Sequence, residues 1–119
     1  MSINSKKPFS RSSRISLQIK KIISHIFLKE IIIPNNILLT VTKVNVSSNL
    51  RIAKIYFSIF NHDESYEVDK ILTFLNTEKK NIRFKMGKSL QSKYVPGINF
   101  YYDDELSNYD KINKILKDG

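Results

Sequence analysis

The chain has 119 residues, with 20 Lys and Arg against 11 Asp and Glu, for a formal net charge of +9. That length supports one domain around a single modest core, and the clustered charge favours a phosphate-rich partner over lysines that serve general solubility alone. With no cysteine, disulfides, thiolate metal sites and a cysteine nucleophile are all excluded.

Residues 1–10 read as a flexible basic arm. The opening MSINSKKPFSRSSR is basic and serine-rich but adjoins no apolar stretch with a cleavage site, so a mature cytoplasmic protein is expected. An organellar transit segment shares that composition and stays open as the other reading. No apolar run approaches the length of a membrane span, so no membrane partner is expected.

Ser12 or Ser13 is placed to cap a helix running to about Glu30. Ile15, Ile19, Ile22, Ile23, Ile26 and Phe27 form its apolar face, opposite Arg14, Gln18, Lys21, His25 and Lys29. Pro34, Asn35 and Asn36 end it. Two strands follow, Ile37 to Val46 and Arg51 to Phe60, joined at Ser47-Ser48-Asn49 and expected to pair antiparallel. Without glycine that connection is not a tight type I′ turn.

Asp63 and Glu64 then open a helix at its positive end, with Val68, Ile71, Leu72 and Leu75 as its buried stripe. Asn76-Thr77 is read as a break, with Thr77 capping a second helix from about Glu78 to Lys93. In that helix Ile82, Met86 and Leu90 share one side, while Lys80, Arg83, Phe84 and Lys88 fall mostly on the other. Pro96-Gly97 turns into a third strand, Ile98 to Tyr102, in which Phe100 and Tyr102 share one face and Tyr101 takes the other. Residues 107–119 read as a short amphipathic end segment with Ile112, Ile115 and Leu116.

The order is therefore α-β-β-α-α-β. It is an α+β arrangement, a three-stranded sheet with its helices on one face, and it matches the type II K-homology domain. The domain spans residues 11–106.

Charge is arranged in blocks. Residues 1–62 carry ten basic side chains against Glu30 alone, and residues 79–102 carry six and no acid. Residues 63–78 and 103–119 are net acidic. Lys79, Lys80, Arg83, Lys85 and Lys88 crowd about two and a half helical turns, where they repel one another unless a polyanion or counterions lie close. Such a face is either solvated or in contact with phosphate. Phe84 among these lysines could stack on an unpaired base, but packing against the preceding helix is the favoured reading.

Nothing in the chain assembles catalytic chemistry. His25 and His62 have no third ligand nearby, and Asp103-Asp104-Glu105 read as caps rather than a Mg²⁺ site. No phosphate-cradling glycine loop, nucleophile elbow or HExxH occurs. No catalytic residue, metal or cofactor is expected.

Taken together, Arg14 and Glu30 flanking the first helix, VNVSSNLRIAKIYFSIF (Val44–Phe60) and GKSLQSKYVPGINFYYD (Gly87–Asp103) resemble the ribosome-binding factor A family, bacterial maturation factors of the small ribosomal subunit. The third segment is the most specific, because Gly-Lys, Leu, Lys, Pro, Ile-x-Phe and Asp keep the family spacing without a gap. The resemblance covers Arg11 to about Leu116.

It implies a single K-homology-like domain that binds the free 30S subunit and its rRNA late in assembly; a monomer that is not an enzyme is expected. It further implies help in processing the 5′ end of the small-subunit rRNA precursor, and support of growth in the cold. The other reading is a generic single-domain nucleic-acid-binding protein without ribosome specificity. With the resemblance, phosphate contact becomes the favoured reading of the basic helix. The candidate RNA-binding residues are Lys79, Lys80, Arg83, Lys85, Lys88 and Lys93, with Arg14 and Lys21 as weaker ones.

Two positions depart from the family pattern. An Ala-x-Gly kink is usual between the second and third helices, whereas here the chain reads Asn76-Thr77-Glu78-Lys79-Lys80 with no glycine. The hairpin carries Asn49 where Asp is usual.

Overall fold

The computed structural model describes residues 10–33, 37–60 and 68–103. The basic arm at 1–9, the turn at 34–36, His62, the acidic helix opening at 63–64 and the end segment at 107–119 lie outside the described residues.

Helix α1 (Arg11–His25) is capped earlier than serine spacing suggests. Ser10, not Ser12 or Ser13, holds the extended cap conformation, and its Oγ accepts from the Ser13 amide at 3.1 Å. Arg14 N already donates to Ser10 O at 3.0 Å, so the helical ladder has begun before either downstream serine could cap it. Residues Ile26–Glu30 continue α1 as one π-helical turn, closed by Ile31 N donating to Ile26 O at 3.2 Å. The wider turn brings the successive residues Ile26 and Phe27 both into the core.

Strands β1 (Leu38–Val46) and β2 (Ile52–Phe60) pair antiparallel, as expected. A bulge lies between Val41 and Lys43. Before it Leu39 and Val41 are buried, and after it Val44 is. One extra residue thus reverses the alternation, which keeps the valines inward and turns Lys43 out. The bulged Thr42 donates its hydroxyl to an Asp103 carboxylate oxygen at 2.6 Å.

At the hairpin, Leu50 N donates to Ser47 O at 2.8 Å, and Leu50 itself takes φ 61°. That conformation costs a leucine about 1–2 kcal/mol, offset by burying its side chain. Asn49 Oδ1 accepts from the Arg51 amide and the Ser47 hydroxyl. An aspartate could do the same, so this departure from the family pattern leaves the turn intact.

Strand β3 (Gly97–Tyr102) runs parallel to β2, Ile52 beside Gly97 through Phe57 beside Tyr102, giving the order β1-β2-β3. A parallel neighbour requires a crossover, which α2 supplies. Helix α2 (Val68–Ser89) is continuous. The expected break at Asn76-Thr77 is absent, and so is the second helix reaching Lys93. Thr77 Oγ1 donates back to Thr73 O at 2.9 Å, as a hydroxyl does inside a helix rather than at its cap. With no glycine or proline in this stretch, nothing interrupts the ladder. The α+β class and three-stranded sheet stand, with one long helix where two were expected.

Ile71, Leu75, Ile82 and Met86 form the buried stripe of α2, while Val68 and Leu72 only border it. They meet Ile15, Ile19 and Ile23 of α1 and Ala53, Ile55, Phe57, Ile98 and Phe100 of the sheet in one core. Both helices thus cover the same face of the sheet. Phe100 and Tyr102 take the core side of β3, and Tyr101 the outer side.

Candidate nucleic-acid interface

The face of α2 turned away from its buried stripe carries Lys80, Phe84 and Lys88, one turn apart from each other. All three are exposed. Phe84, 64% exposed, does not pack against a preceding helix, because no bend folds the earlier part of α2 back towards it. The Lys88 ammonium lies 4.7 Å from its ring centroid. A large apolar ring left in water among cations is unusual for a core-forming residue.

Beyond Ser89 the chain crosses back under this ridge. Gly87 permits the approach, since a Cβ there would lie 3.2 Å from Val95 Cγ2. Gln18 Oε1 accepts from the Gln91 amide at 3.2 Å and ties the loop to α1. Arg83 ties it to α2, with Nε donating to Pro96 O at 3.0 Å and Nη2 to Val95 O at 2.6 Å. Arg83 is therefore not the free cation that helical spacing suggests. Two of its five donors hold the loop, and the rest of this exposed guanidinium remains available.

Lys80, Arg83, Phe84, Gly87, Lys88 and Val95 line an open hollow of about 610 Å³. A second, of about 580 Å³, shares Arg83 and Val95 and adds Asn49, Leu50, Arg51 and Tyr94. Tyr94 is 63% exposed, and Lys93 Nζ lies 5.7 Å from its ring. The two adjoining hollows thus each offer an exposed aromatic ring beside an ammonium, with Arg83 lining both. This pairing suits a nucleic acid, whose bases stack and whose phosphates need cations.

Of the residues singled out in the sequence, Lys80, Arg83 and Lys88 are brought together here, with Lys93 at the margin. Lys85 and Lys21 are not. They flank a separate hollow of about 200 Å³, where Lys85 Nζ lies 3.7 Å from Glu30 Oε1. Lys79 reaches the sheet edge and donates to Asn99 Oδ1 at 3.0 Å. Arg14 is exposed on α1 and lines neither joined hollow.

Sequence reasoning missed Arg51 and Asn49, whose place beside Tyr94 depends on β3 pairing parallel to β2. Gly97 N donates to Arg51 O at 2.8 Å, so the hairpin end and the α2–β3 loop abut. Among the described residues no group of three or more His, Asp or Glu could hold a metal ion, and no helix is long and apolar enough to cross a membrane.

Residues 11–116 match the family model for ribosome-binding factor A. The factor from Buchnera aphidicola subsp. Baizongia pistaciae is 36% identical over 109 residues, 90% of this chain and 91% of that one. The Geotalea daltonii factor is 32% identical over 110 residues, 92% of this chain and 88% of that one. In structure, the chain is similar to crystalline ribosome-binding factor A of Thermus thermophilus, with TM-score 0.62 and 18% identity over 76% of this chain and 94% of that one. It is similar to much the same degree to a homology model of the Thermus thermophilus factor fitted into a cryo-EM map of a 30S complex, with TM-score 0.61 and 18% identity, covering 74% and 90% of the two chains.

Proposed function

This chain belongs to the ribosome-binding factor A family, and on that premise we propose that it binds the free small ribosomal subunit through rRNA, using the joined hollows beside Arg83. The observation that carries the site is the exposed ridge Lys80–Phe84–Lys88 with Tyr94 and Arg51 in the hollow that adjoins it at Arg83. The 30S complex of the Thermus thermophilus factor supports the choice of partner. Phosphates would be held by Lys80, Lys88, Lys93 and Arg51, with unpaired bases stacked on Phe84 and Tyr94.

With no glycine in the middle of α2, close backbone approach to a phosphate is replaced by contact through side chains. In this reading the protein acts by occupancy rather than catalysis, as a cytoplasmic monomer late in subunit assembly, and assists processing of the 5′ end of the rRNA precursor. The Asp103 carboxylate, the described member of the acidic cluster, already accepts from Thr42 and serves the fold.

Co-sedimentation with purified small subunits in the presence of excess duplex DNA tests the reading. Binding that survives the competitor and weakens steeply from low to moderate salt is expected. Equal loss to duplex DNA would favour a generic nucleic-acid binder instead.

A further inference from the structure

The sheet has a second face, turned away from both helices. Across it the register aligns Lys43, Tyr56 and Tyr101 in one row and Asn45, Lys54 and Asn99 in the next. The Tyr56 and Tyr101 rings stack with centroids 5.3 Å apart and planes 28° from parallel. Lys43 Nζ sits 4.7 Å from the Tyr56 centroid, and Lys54 Nζ 6.0 Å from that of Tyr101. Lys79, coming from α2 on the other side, reaches the edge of this face through its bond to Asn99.

These lysines are oriented but not neutralised. A tyrosine ring attracts an ammonium without cancelling its charge. Neither Lys43 nor Lys54 pairs with a carboxylate among the described residues; the ion pairs found there both involve Glu30. Both lysines are exposed, as is Tyr101 at 39%. The bulge at Thr42 is what turns Lys43 outward, to the side of the sheet that carries Lys54, and Lys79 adds a third cation at the edge of that face. A face of fixed cations, amide donors and tyrosines complements a phosphodiester backbone.

We propose that the open face of the sheet is a second RNA-contacting surface, on which Lys43, Lys54 and Lys79 take phosphates of one RNA strand around the Tyr56–Tyr101 pair. The inference rests on the reading that the partner is RNA, but uses a surface on the opposite side of the domain from the α2 ridge. With both occupied, the domain lies between two RNA segments rather than against one.

The test uses the full chain, a fluorescein-labelled single-stranded RNA 12-mer followed by anisotropy, and small subunits followed by sedimentation. Sheet variants Lys43→Glu/Lys54→Glu and Lys43→Gln/Lys54→Gln are compared with the ridge variant Lys80→Glu/Lys88→Glu. Both sheet variants are expected to bind the 12-mer and the subunit more weakly, the Glu pair by at least tenfold. The slope of log Kd against log salt for the 12-mer should flatten by about 1.4, as two lost single-strand phosphate contacts require. The Gln pair decides the matter if the Glu pair does not fold.

Sheet variants that bind as wild type while the ridge variant fails would overturn this inference and leave the ridge standing. Sheet variants weakened on the subunit alone would assign the face to a protein partner, which also overturns it. A ridge variant that binds normally beside failing sheet variants would overturn the ridge instead and leave the sheet surface supported.

Discussion

Arg83 holds the α2–β3 loop through Pro96, its Nε donating to the Pro96 carbonyl at 3.0 Å while Nη2 takes the preceding carbonyl. One planar guanidinium closes two backbone acceptors that lysine's single ammonium cannot reach together. Arg83→Lys should therefore destabilise the domain by about 0.5–1.5 kcal/mol, the net worth of the one hydrogen bond it gives up. Urea unfolding read by circular dichroism checks it. Stability equal to wild type would mean that these bonds do not hold the loop. For the same reason charge reversal at Arg83 is unsuited to testing RNA contact, since it disturbs the fold as well as the charge.

The ridge is better tested at Lys80, Lys88 and Lys93, none of which anchors backbone in the structure. Reversing all three to Glu should abolish small-subunit association with the melting temperature nearly unchanged. Reversing Lys111, Lys114 and Lys117, which lie among acidic residues near the chain end, should do much less. If sedimentation gave the opposite ranking, the binding face would lie elsewhere.

Phe84→Ala and Tyr94→Ala separate stacking from charge. Each should weaken binding of a single-stranded RNA by about 1–3 kcal/mol, the worth of one base stacked on a ring. The salt slope should stay where it is, since no cation is removed. Anisotropy across a salt series measures both. Loss of binding with a flattened slope would show that the rings act by positioning the neighbouring lysines.

Leu75 is fully buried and Leu72 only borders the core. Leu75→Ala should cost about 2–5 kcal/mol, a large share of the stability of a domain this small, and Leu72→Ala clearly less. Thermal melts of the two variants side by side provide the check, and equal losses would contradict the burial difference.

Thr77 gives a prediction whose sign matters. At a helix start its removal would cost about 0.5–2 kcal/mol, whereas inside a helix alanine is the better residue by a few tenths of a kcal/mol. Because α2 runs through it, Thr77→Ala should leave the domain as stable or slightly more so. A clear loss in urea unfolding would point to a break at this position in solution.

Alternation and helical spacing were enough to place the three strands, the antiparallel hairpin and the inward sides of Ile19, Leu75, Ile82 and Met86. These follow from period alone, because an apolar stripe must be covered wherever its element lies. Spacing also put Lys80 and Lys88 on one outward side. What it could not convey was which neighbours reach the polar side of an element. That depended on β3 pairing parallel to β2, which brings the Arg51 hairpin end against the loop at Val95 and Pro96 and draws Arg83 onto their carbonyls. The exposure of Phe84 and the outward turn of Lys43 belong to the same class. One follows from α2 running unbroken and the other from a single bulged residue, each a choice that competing backbone hydrogen bonds make only once the whole sheet and its helices have assembled.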